Sequence, residues 1–303
     1  MKVYLTDGTL PTYFDNGKKS GEVTYKNSKR HGLWTEWYES GQIKSERRFK
    51  DGARHGKHIS WHENGLLNRE QFFKDGQTDG RDTLWNEDGT PFHLITWKDG
   101  EMHGEYVNWH SNGNKRCEYN YQDGKSHGAC VTWYENGQKE THSNYEYGRR
   151  EGKTMGWYEN GQLKSEKRYK DGKRHGKCIG WHENGLMFKE SFYKDGKAEG
   201  THMTWNKDGT LIRKYIWKDS KLDGEQIKWY DNGQMSKKSF CQYNRIEGKR
   251  IGWYENGQKH YEDNYEDGLL DGYSVTYREN GSKRKEENYK HGFCLGRTNH
   301  VEG

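Results

Sequence analysis

The sequence predicts an all-β protein: an elongated, twisted, single-layer antiparallel meander of about twelve β-hairpin repeats of 24 residues each. One glycine position returns every 24 residues without a break along the chain of 303 residues. Apolar and polar residues alternate on both sides of that glycine, which is the period of a β-strand. Self-similarity at a period of about 20 to 50 residues is typical of arrays in which each unit packs on its neighbours. The repeated glycines are Gly17, Gly41, Gly65, Gly89, Gly113, Gly137, Gly161, Gly185, Gly209, Gly233, Gly257 and Gly281.

Each repeat contains one strand on either side of this turn. Before Gly137, Val131 and Trp133 alternate with polar residues, and Tyr145 continues the pattern after it. Two aromatic columns recur in step with the glycine, and we expect them to form ladders that bury most of the apolar surface. The first column supplies the structural ladder Trp37, Trp61, Trp109, Trp133, Trp157, Trp181, Trp229 and Trp253, and it also contains Trp85 and Trp205. The second column is Tyr25, Phe49, Phe73, Trp97, Tyr121, Tyr145, Tyr169, Tyr193, Trp217, Tyr265 and Tyr289.

The type of turn follows from these two columns. A two-residue loop pairs Trp133 with Glu140 and places Tyr145 on the opposite face of the sheet. A three-residue loop pairs Trp133 with Lys139 and keeps both aromatic columns on one face. We therefore expect a type I turn in which Gly137 takes the left-handed bulge position.

Composition is uniform along the array and predicts one domain over residues 1–303, with repeats at about 8–295 between short N- and C-terminal caps. Only 29% of residues are hydrophobic and the mean hydropathy is −1.44, but 13 Trp, 22 Tyr and 9 Phe supply apolar surface. We find no apolar run typical of a signal peptide or of a membrane span of roughly 20 residues. The five cysteines show no paired spacing. We expect a soluble, cytoplasmic protein with reduced thiols.

One column of each repeat carries histidine or an acid, which raises the question of a metal site. Equivalent positions in adjacent hairpins lie about 9 to 10 Å apart because two strands intervene, whereas metal ligands lie about 2 Å from one ion. We expect these side chains to bond to the turn between hairpins instead, and we predict no metal, no cofactor and no enzymatic activity. The column contains His31, His55, Asp79, His103, His127, Glu151, His175, Glu199, Asp223, Glu247 and Asp271.

Three short strings resemble a known repeat family. Residues 157–162 read Trp-Tyr-Glu-Asn-Gly-Gln, residues 169–173 read Tyr-Lys-Asp-Gly-Lys, and residues 175–177 read His-Gly-Lys. They are similar to the MORN repeat, and more closely to the variant found in YwqK-type antitoxin proteins. The similarity covers essentially residues 8–296. This resemblance implies a curved hairpin-repeat sheet that serves as an interaction scaffold or a membrane-proximal scaffold.

We predict a non-enzymatic scaffold whose partner is another protein, with antitoxin-like neutralisation of that protein as a special case. The alternative is a peripheral module that binds acidic phospholipid headgroups. Nucleic acid ranks third, because acidic residues interleave with the basic ones and the net charge is only +5. The candidate lipid patch consists of Arg47, Arg48, Lys50, Lys167, Arg168 and Lys170.

A longer period suggests where a protein partner binds. Residues 41–60 match residues 161–180 at 14 of 20 positions, an offset of 120 residues or five repeats. A surface in one five-repeat block therefore has a counterpart in the other, which allows bivalent binding. The candidate partner-binding residues are Trp85, His93 and Trp97 in the first block, and Trp205, Arg213 and Trp217 in the second.

Overall fold

The computed structural model describes residues 7–301, which form strands and turns and contain no helix. Among these residues, nothing resembles a helix long and apolar enough to cross a bilayer. The chain divides into two compact units, Met1–Arg149 and Arg150–Gly303, called unit 1 and unit 2 below. The prediction of one continuous domain over residues 1–303 stays a prediction.

All 28 strands belong to one antiparallel sheet, as the sequence predicts. The first thirteen are β1 (Gly8–Tyr13), β2 (Lys19–Lys26), β3 (Lys29–Trp37), β4 (Ile43–Lys50), β5 (Ala53–Arg54), β6 (Gly56–Trp61), β7 (Leu67–Lys74), β8 (Gln77–Trp85), β9 (Pro91–Lys98), β10 (Glu101–Trp109), β11 (Lys115–Gln122), β12 (Lys125–Trp133) and β13 (Lys139–Glu146). The others are β14 (Arg149–Trp157), β15 (Leu163–Lys170), β16 (Lys173–Arg174), β17 (Gly176–Trp181), β18 (Met187–Lys194), β19 (Lys197–Trp205), β20 (Leu211–Lys218), β21 (Lys221–Trp229), β22 (Met235–Gln242), β23 (Arg245–Trp253), β24 (Lys259–Glu266), β25 (Leu269–Leu270), β26 (Gly272–Tyr277), β27 (Lys283–Lys290) and β28 (Phe293–Asn299).

The hairpin turn has the predicted three-residue loop. Trp133 pairs with Lys139. The Tyr134 N–H donates to the Gln138 carbonyl at 2.9 Å, and the Gly137 N–H donates to the Tyr134 carbonyl at 2.9 Å. Gly137 has φ 83°, the left-handed conformation that glycine adopts without steric cost. The predicted type I turn with a glycine bulge is therefore confirmed.

The turn between hairpins is tighter. Lys170 pairs with Lys173, which leaves a two-residue loop. Asp171 has φ 51° and Gly172 has φ 78°, and positive φ at both loop residues defines a type I′ turn. Asp-Gly pairs such as Asp171-Gly172 therefore mark the second bend in most repeats, whereas Asp88-Gly89 and Asp208-Gly209 lie in hairpin turns.

The expectation that both aromatic columns share one face is wrong. The register shifts by one residue between Thr132 and Trp133, so that Gly128 pairs with Tyr145. Because successive residues of a strand point to opposite faces, Tyr145 lies with Thr132 and Trp133 lies on the other side. We call the side that carries Tyr145 and Thr132 the tyrosine face, and the side that carries Trp133 the tryptophan face. A β-bulge immediately after the turn adds one residue to the second strand. It therefore places Tyr145 on the face opposite to the one that loop length alone predicts.

Contacts on each face support this assignment. On the tyrosine face, the hydroxyls of Thr132 and Thr141 lie 2.7 Å apart. On the tryptophan face, the Lys115 ammonium lies 5.9 Å from the centre of the Trp133 ring and 2.7 Å from the Glu118 carboxylate. The columns therefore form two separate ladders, one on each face.

The aromatic ladders are less deeply buried than the sequence predicts. All eight tryptophans of the structural ladder are half-buried, whereas Phe49 and Phe73 of the second column are buried. Phe49 and Phe73 meet through His58, whose ring lies 5.8 Å from the first and 4.5 Å from the second. Neighbours within this column lie two strands apart, so a side chain from the intervening strand bridges them.

Side chains of one repeat bond to the backbone of the next. The Tyr158 hydroxyl donates to the Trp181 carbonyl at 2.8 Å. The Glu151 carboxylate accepts the Asp171 N–H at 2.8 Å. His175 meets the next turn through a contact of 3.1 Å with the Asp195 carboxylate. The predicted role of the histidine and acidic column, bonding to the turn between hairpins, is confirmed at these positions.

Candidate binding face

The structure separates the members of each predicted partner-binding set. His93 pairs with Leu84 and lies on the tyrosine face, and Trp97, which pairs with Gly80, lies on the same side. Trp85 follows Leu84 directly and therefore lies on the tryptophan face. Burial lowers the pKa of His93, while Asp82 raises it and Arg69 lowers it further.

The second block repeats this division. Arg213 pairs with Thr204 and Trp217 pairs with Gly200, which places Arg213 and Trp217 on the tyrosine face. Trp205 follows Thr204 and lies on the tryptophan face. Two members of each predicted set thus share a face, and the third does not.

The candidate lipid residues also divide between faces. Arg47 forms an ion pair with Glu36 at 3.0 Å on the tyrosine face. Its neighbour Arg48 lies on the tryptophan face. Lys167 lies on the tyrosine face of unit 2, opposite Thr154, whereas Arg168 pairs with Lys153 on the tryptophan face. Lys50 and Lys170 are exposed beside the turns between hairpins. Consecutive basic residues in the sequence therefore do not form one surface.

A different basic surface crosses unit 2. Arg213 in β20 pairs with Lys228 in β21, and Lys228 pairs with Lys237 in β22. Lys189 in β18 lies in the same line across the strands, because it pairs with Thr204 in β19, and Thr204 pairs with Arg213. We call Lys189, Arg213, Lys228 and Lys237 the cationic row. Among residues 7–301, none of the four lies within ion-pair distance of a carboxylate.

The cationic row is electrostatically unfavourable for the isolated chain. Like charges directly opposite each other on adjacent strands destabilise a sheet. Burial lowers the pKa of Lys237, the nearby cations Arg250 and Lys228 lower it further, and Cys241 and the Asp263 carboxylate have a smaller raising effect. On the tryptophan face, by contrast, lysines face carboxylates, as Lys238 faces Glu225 at 2.6 Å. Opposite charges also pair elsewhere on the tyrosine face, as Arg47 does with Glu36 and Arg250 with Asp263, but not along the cationic row.

A depression of about 310 Å³ extends the row towards β15. Its cations are Lys164, Lys167, Arg174 and Lys189, and the described side chains that line it include no carboxylate. Phe188 lies at its side and is 44% exposed. The depression is open because its floor carries the small residues Ser165, Cys178, Gly180 and Ser191.

Aromatic rings hold some of these cations in place. The Lys164 ammonium lies 5.1 Å from the centre of the Tyr158 ring. The Arg174 guanidinium lies 5.2 Å from the centre of the Tyr193 ring and donates to the Tyr193 hydroxyl at 3.2 Å. Such cation–π contacts orient the positive groups without neutralising them. The face can therefore attract and position anionic groups.

Unit 1 lacks the cationic row at equivalent positions. There Arg69 is neutralised by Asp82, which accepts from two Arg69 nitrogens at 2.9 and 2.7 Å. At an offset of 120 residues, His93 corresponds to Arg213, Asn108 to Lys228, and Cys117 to Lys237. Sequence reasoning found Arg213 but missed Lys189, Lys228 and Lys237. Alignment of the two blocks shows that unit 2 carries more positive charge at these positions. It does not show that the positions are neighbours, because that depends on the face of the sheet on which each side chain lies.

One group of side chains has the composition of a metal site. Ligand atoms of Glu266, Asp271 and His291 lie within 4.8 Å of one another. Asp271 already accepts the backbone N–H of His291 at 3.0 Å, and the Lys290 ammonium lies 3.1 Å from it. Asp271 thus fills the turn-binding role of its column, and we assign no metal to this group.

The fold and the face together define an all-β hairpin-repeat protein with a positively charged sheet surface. The family model for the MORN repeat variant matches eight segments that together cover more than half of the chain, and the chain belongs to this family. The matched segments are residues 6–27, 30–51, 54–75, 102–123, 126–147, 150–171, 222–240 and 246–267.

No curated protein sequence matches the chain. The crystal structure of TcdB2-TccC3-Cdc42 is similar at 12% identity and a TM-score of 0.20, covering 93% of this chain and 18% of that one. The Photorhabdus luminescens Tc holotoxin pore is similar at 10% identity and a TM-score of 0.20, covering 96% and 18%. The chain thus spans less than a fifth of these solved chains, and likeness at this level carries no argument about fold or function.

Proposed function

We propose that this chain is a non-enzymatic scaffold that binds an acidic partner protein through the tyrosine face of unit 2. MORN repeats are commonly protein- or membrane-binding scaffolds and are typically non-enzymatic. The observation that carries the proposal is the cationic row, because three directly opposed cations, Arg213, Lys228 and Lys237, oppose folding unless an anionic ligand faces them.

Charge complementarity is the physical basis of this function. A positive surface steers an acidic partner into contact and disfavours partners of like charge. Antitoxin-like neutralisation of the partner is one form that such binding takes, and a cytoplasmic location remains part of the proposal. A second site in unit 1, around His93, would make the chain bivalent. That site lacks the full row of cations, so we expect the stronger binding in unit 2.

Affinity purification from the cells that make this protein tests the proposal. The tagged chain is compared with the row variant Arg213→His, Lys228→Asn, Lys237→Thr. The first two substitutions restore the residues of unit 1, and threonine occurs in the column of Lys237 at Thr141. We expect mass spectrometry to identify an acidic protein that copurifies with the wild type and is lost from the row variant.

A matched variant controls for the loss of net charge. Lys170→Gln, Lys194→Gln, Lys218→Gln removes three exposed lysines from one column beside the turns between hairpins. We expect this turn variant to retain the partner. Recovery of the same proteins with all three chains would contradict the proposal.

A further inference from the structure

We infer that the tyrosine face of unit 2 binds an extended acidic segment of the partner, about nine residues long, running across the strands from β15 to β22. This inference rests on the function proposed above and names the form of the ligand.

The length follows from the positions of the outermost cations. Lys164 and Lys167 lie in β15, and Lys237 lies in β22. Six steps between full-length strands separate them, or about 29 Å at a spacing of ~4.8 Å. An extended chain covers about 3.3 Å per residue, so about nine residues span this distance.

The shape favours a narrow ligand. The floor of the depression contains Gly180, Ser165 and Ser191, while Lys164, Phe188 and other long side chains rise at its sides. Lys167 and Lys189 are half-buried within it, so their charges are presented inside a recess. A single extended chain with carboxylate side chains fits such a recess, with Phe188 available to an apolar residue of the same segment.

A planar anionic membrane fits this face less well. Beside Arg213 and Lys228, a second depression of about 510 Å³ also contains Asp231 and Glu255. These acids lie in or next to the hairpin turns at one border of the face, and Glu183 occupies an equivalent exposed position. A flat negative surface meets these carboxylates together with the cations.

Single-stranded nucleic acid also fits less well. Its sequence-tolerant binding depends on bases that stack on open aromatic faces. Here a ring face of Tyr158 is occupied by Lys164, and a ring face of Tyr193 by Arg174. The rings position the protein's own cations, which suits carboxylate recognition better than base stacking.

Fluorescein-labelled oligoglutamates are the probe. Peptides of about four, nine and sixteen residues bracket the predicted length, and fluorescence anisotropy at about 0.15 M salt measures binding where long-range attraction is screened. We expect the affinity to rise steeply from the shortest peptide to the middle one and to change little beyond it. The row variant should bind the middle peptide about tenfold more weakly, or about 1.4 kcal/mol, and the turn variant less than about twofold.

A second variant tests the recess without changing charge. Gly180→Thr places a side chain on the floor of the depression. An added Cβ at Gly180 meets Phe188 at 3.5 Å and the Lys164 carbonyl at 3.7 Å, which is ordinary contact. Thr132 and Thr204 occupy the same column, so the substitution suits the fold. We expect weaker peptide binding with unchanged circular dichroism.

Several outcomes would overturn the inference. Affinity that keeps increasing in proportion to peptide length, or that falls equally in the row and turn variants, indicates unspecific attraction between polyelectrolytes. Tighter binding of oligodeoxythymidylate or of phosphatidylserine vesicles assigns the face to another class of ligand. If oligoglutamate does not bind but the row variant still loses a native acidic partner, this inference is wrong and the proposed function stands. If the row variant loses no partner either, both are wrong.

Discussion

Removing the central charge of the cationic row should stabilise the protein. We expect Lys228→Gln to raise the free energy of unfolding, which is unusual because most substitutions lower it. Lys228 is exposed and has a cation directly opposite it on each side, Arg213 in β20 and Lys237 in β22. Glutamine keeps most of the side-chain stem, so the loss of charge is the main change.

The expected size follows from the two opposed pairs. A like-charge pair directly across two strands costs on the order of 0.2 to 1 kcal/mol. Lys228 takes part in two such pairs, and its exposure to solvent favours the lower half of that range. We therefore expect a gain of about 1 kcal/mol at low ionic strength. At about 1 M salt, where the Debye length is about 3 Å, the gain should nearly vanish.

Urea denaturation followed by tryptophan fluorescence, at low and at high salt, measures this effect. Lys238→Gln is the matched control, because Lys238 lies in β22 on the tryptophan face and contacts Glu225 at 2.6 Å. The hydrogen bond from Lys238 is the main cause that holds the pKa of Glu225 below its usual value. We expect this control to lose up to about 1 kcal/mol, the range of an exposed ion pair.

The signs of the two changes decide the outcome. If Lys228→Gln destabilises the chain as the control does, the row is not a site of repulsion and the argument for a functional surface fails. A gain that persists unchanged at high salt would also contradict the reasoning, because it would have a cause other than charge.

Three further predictions concern single contacts. Asp82→Ser should lower the free energy of unfolding by about 2 to 3 kcal/mol, because it removes charge-assisted hydrogen bonds at a residue that is 3% exposed. A double-mutant cycle with Arg69→Ser that shows no coupling would refute this. Burial lowers the pKa of His202, with a smaller opposing effect from its hydrogen bond to a backbone carbonyl, so the unfolded chain binds the proton more tightly and stability should fall as the pH drops below about 6.5. Gln226 makes the equivalent hydrogen bond at 3.1 Å, so His202→Gln should flatten that pH dependence in urea titrations, and an unchanged profile would exclude His202 as its source. Glu151→Ala should speed deuterium exchange at the turn N–H that it accepts, by about threefold to tenfold for a bond of roughly 0.5 to 1.5 kcal/mol, while unaltered exchange would mean that the bond does not protect the turn.

Local sequence rules predict the backbone of this protein well. The glycine period gives the hairpins, and Gly137 takes the turn conformation that the Asn-Gly pair indicates. The same rules fail at the next step of the ladder, where Trp133 pairs with Lys139 but Thr132 pairs with Thr141, so that Glu140 is an extra residue. That register shift depends on how the bulge packs against the neighbouring strand. The pattern of apolar and polar residues along the sequence does not reveal it.

The candidate site depends on this shift. Lys228 and Lys237 belong to different columns of the repeat, and only the observed register makes them direct neighbours. Arg213 is the one member of the cationic row among the candidates that the five-repeat duplication suggests. Runs such as Arg47-Arg48 concentrate positive charge along the chain, but alternation sends adjacent side chains to opposite faces. Charge in a sheet is therefore better analysed by columns than by runs.

The direction of the bonds between repeats has a consequence for how the chain is made. Tyr158 and Glu151 each bond to backbone that lies about 20 residues later in the sequence. On the ribosome, the side chain that secures a turn is therefore synthesised before the turn itself. Domains generally fold from the N-terminus as they emerge, and here each finished hairpin presents a template to the next. Folding at the emerging end should then keep pace with translation, because each new hairpin needs only the preceding hairpin as a surface on which to pair.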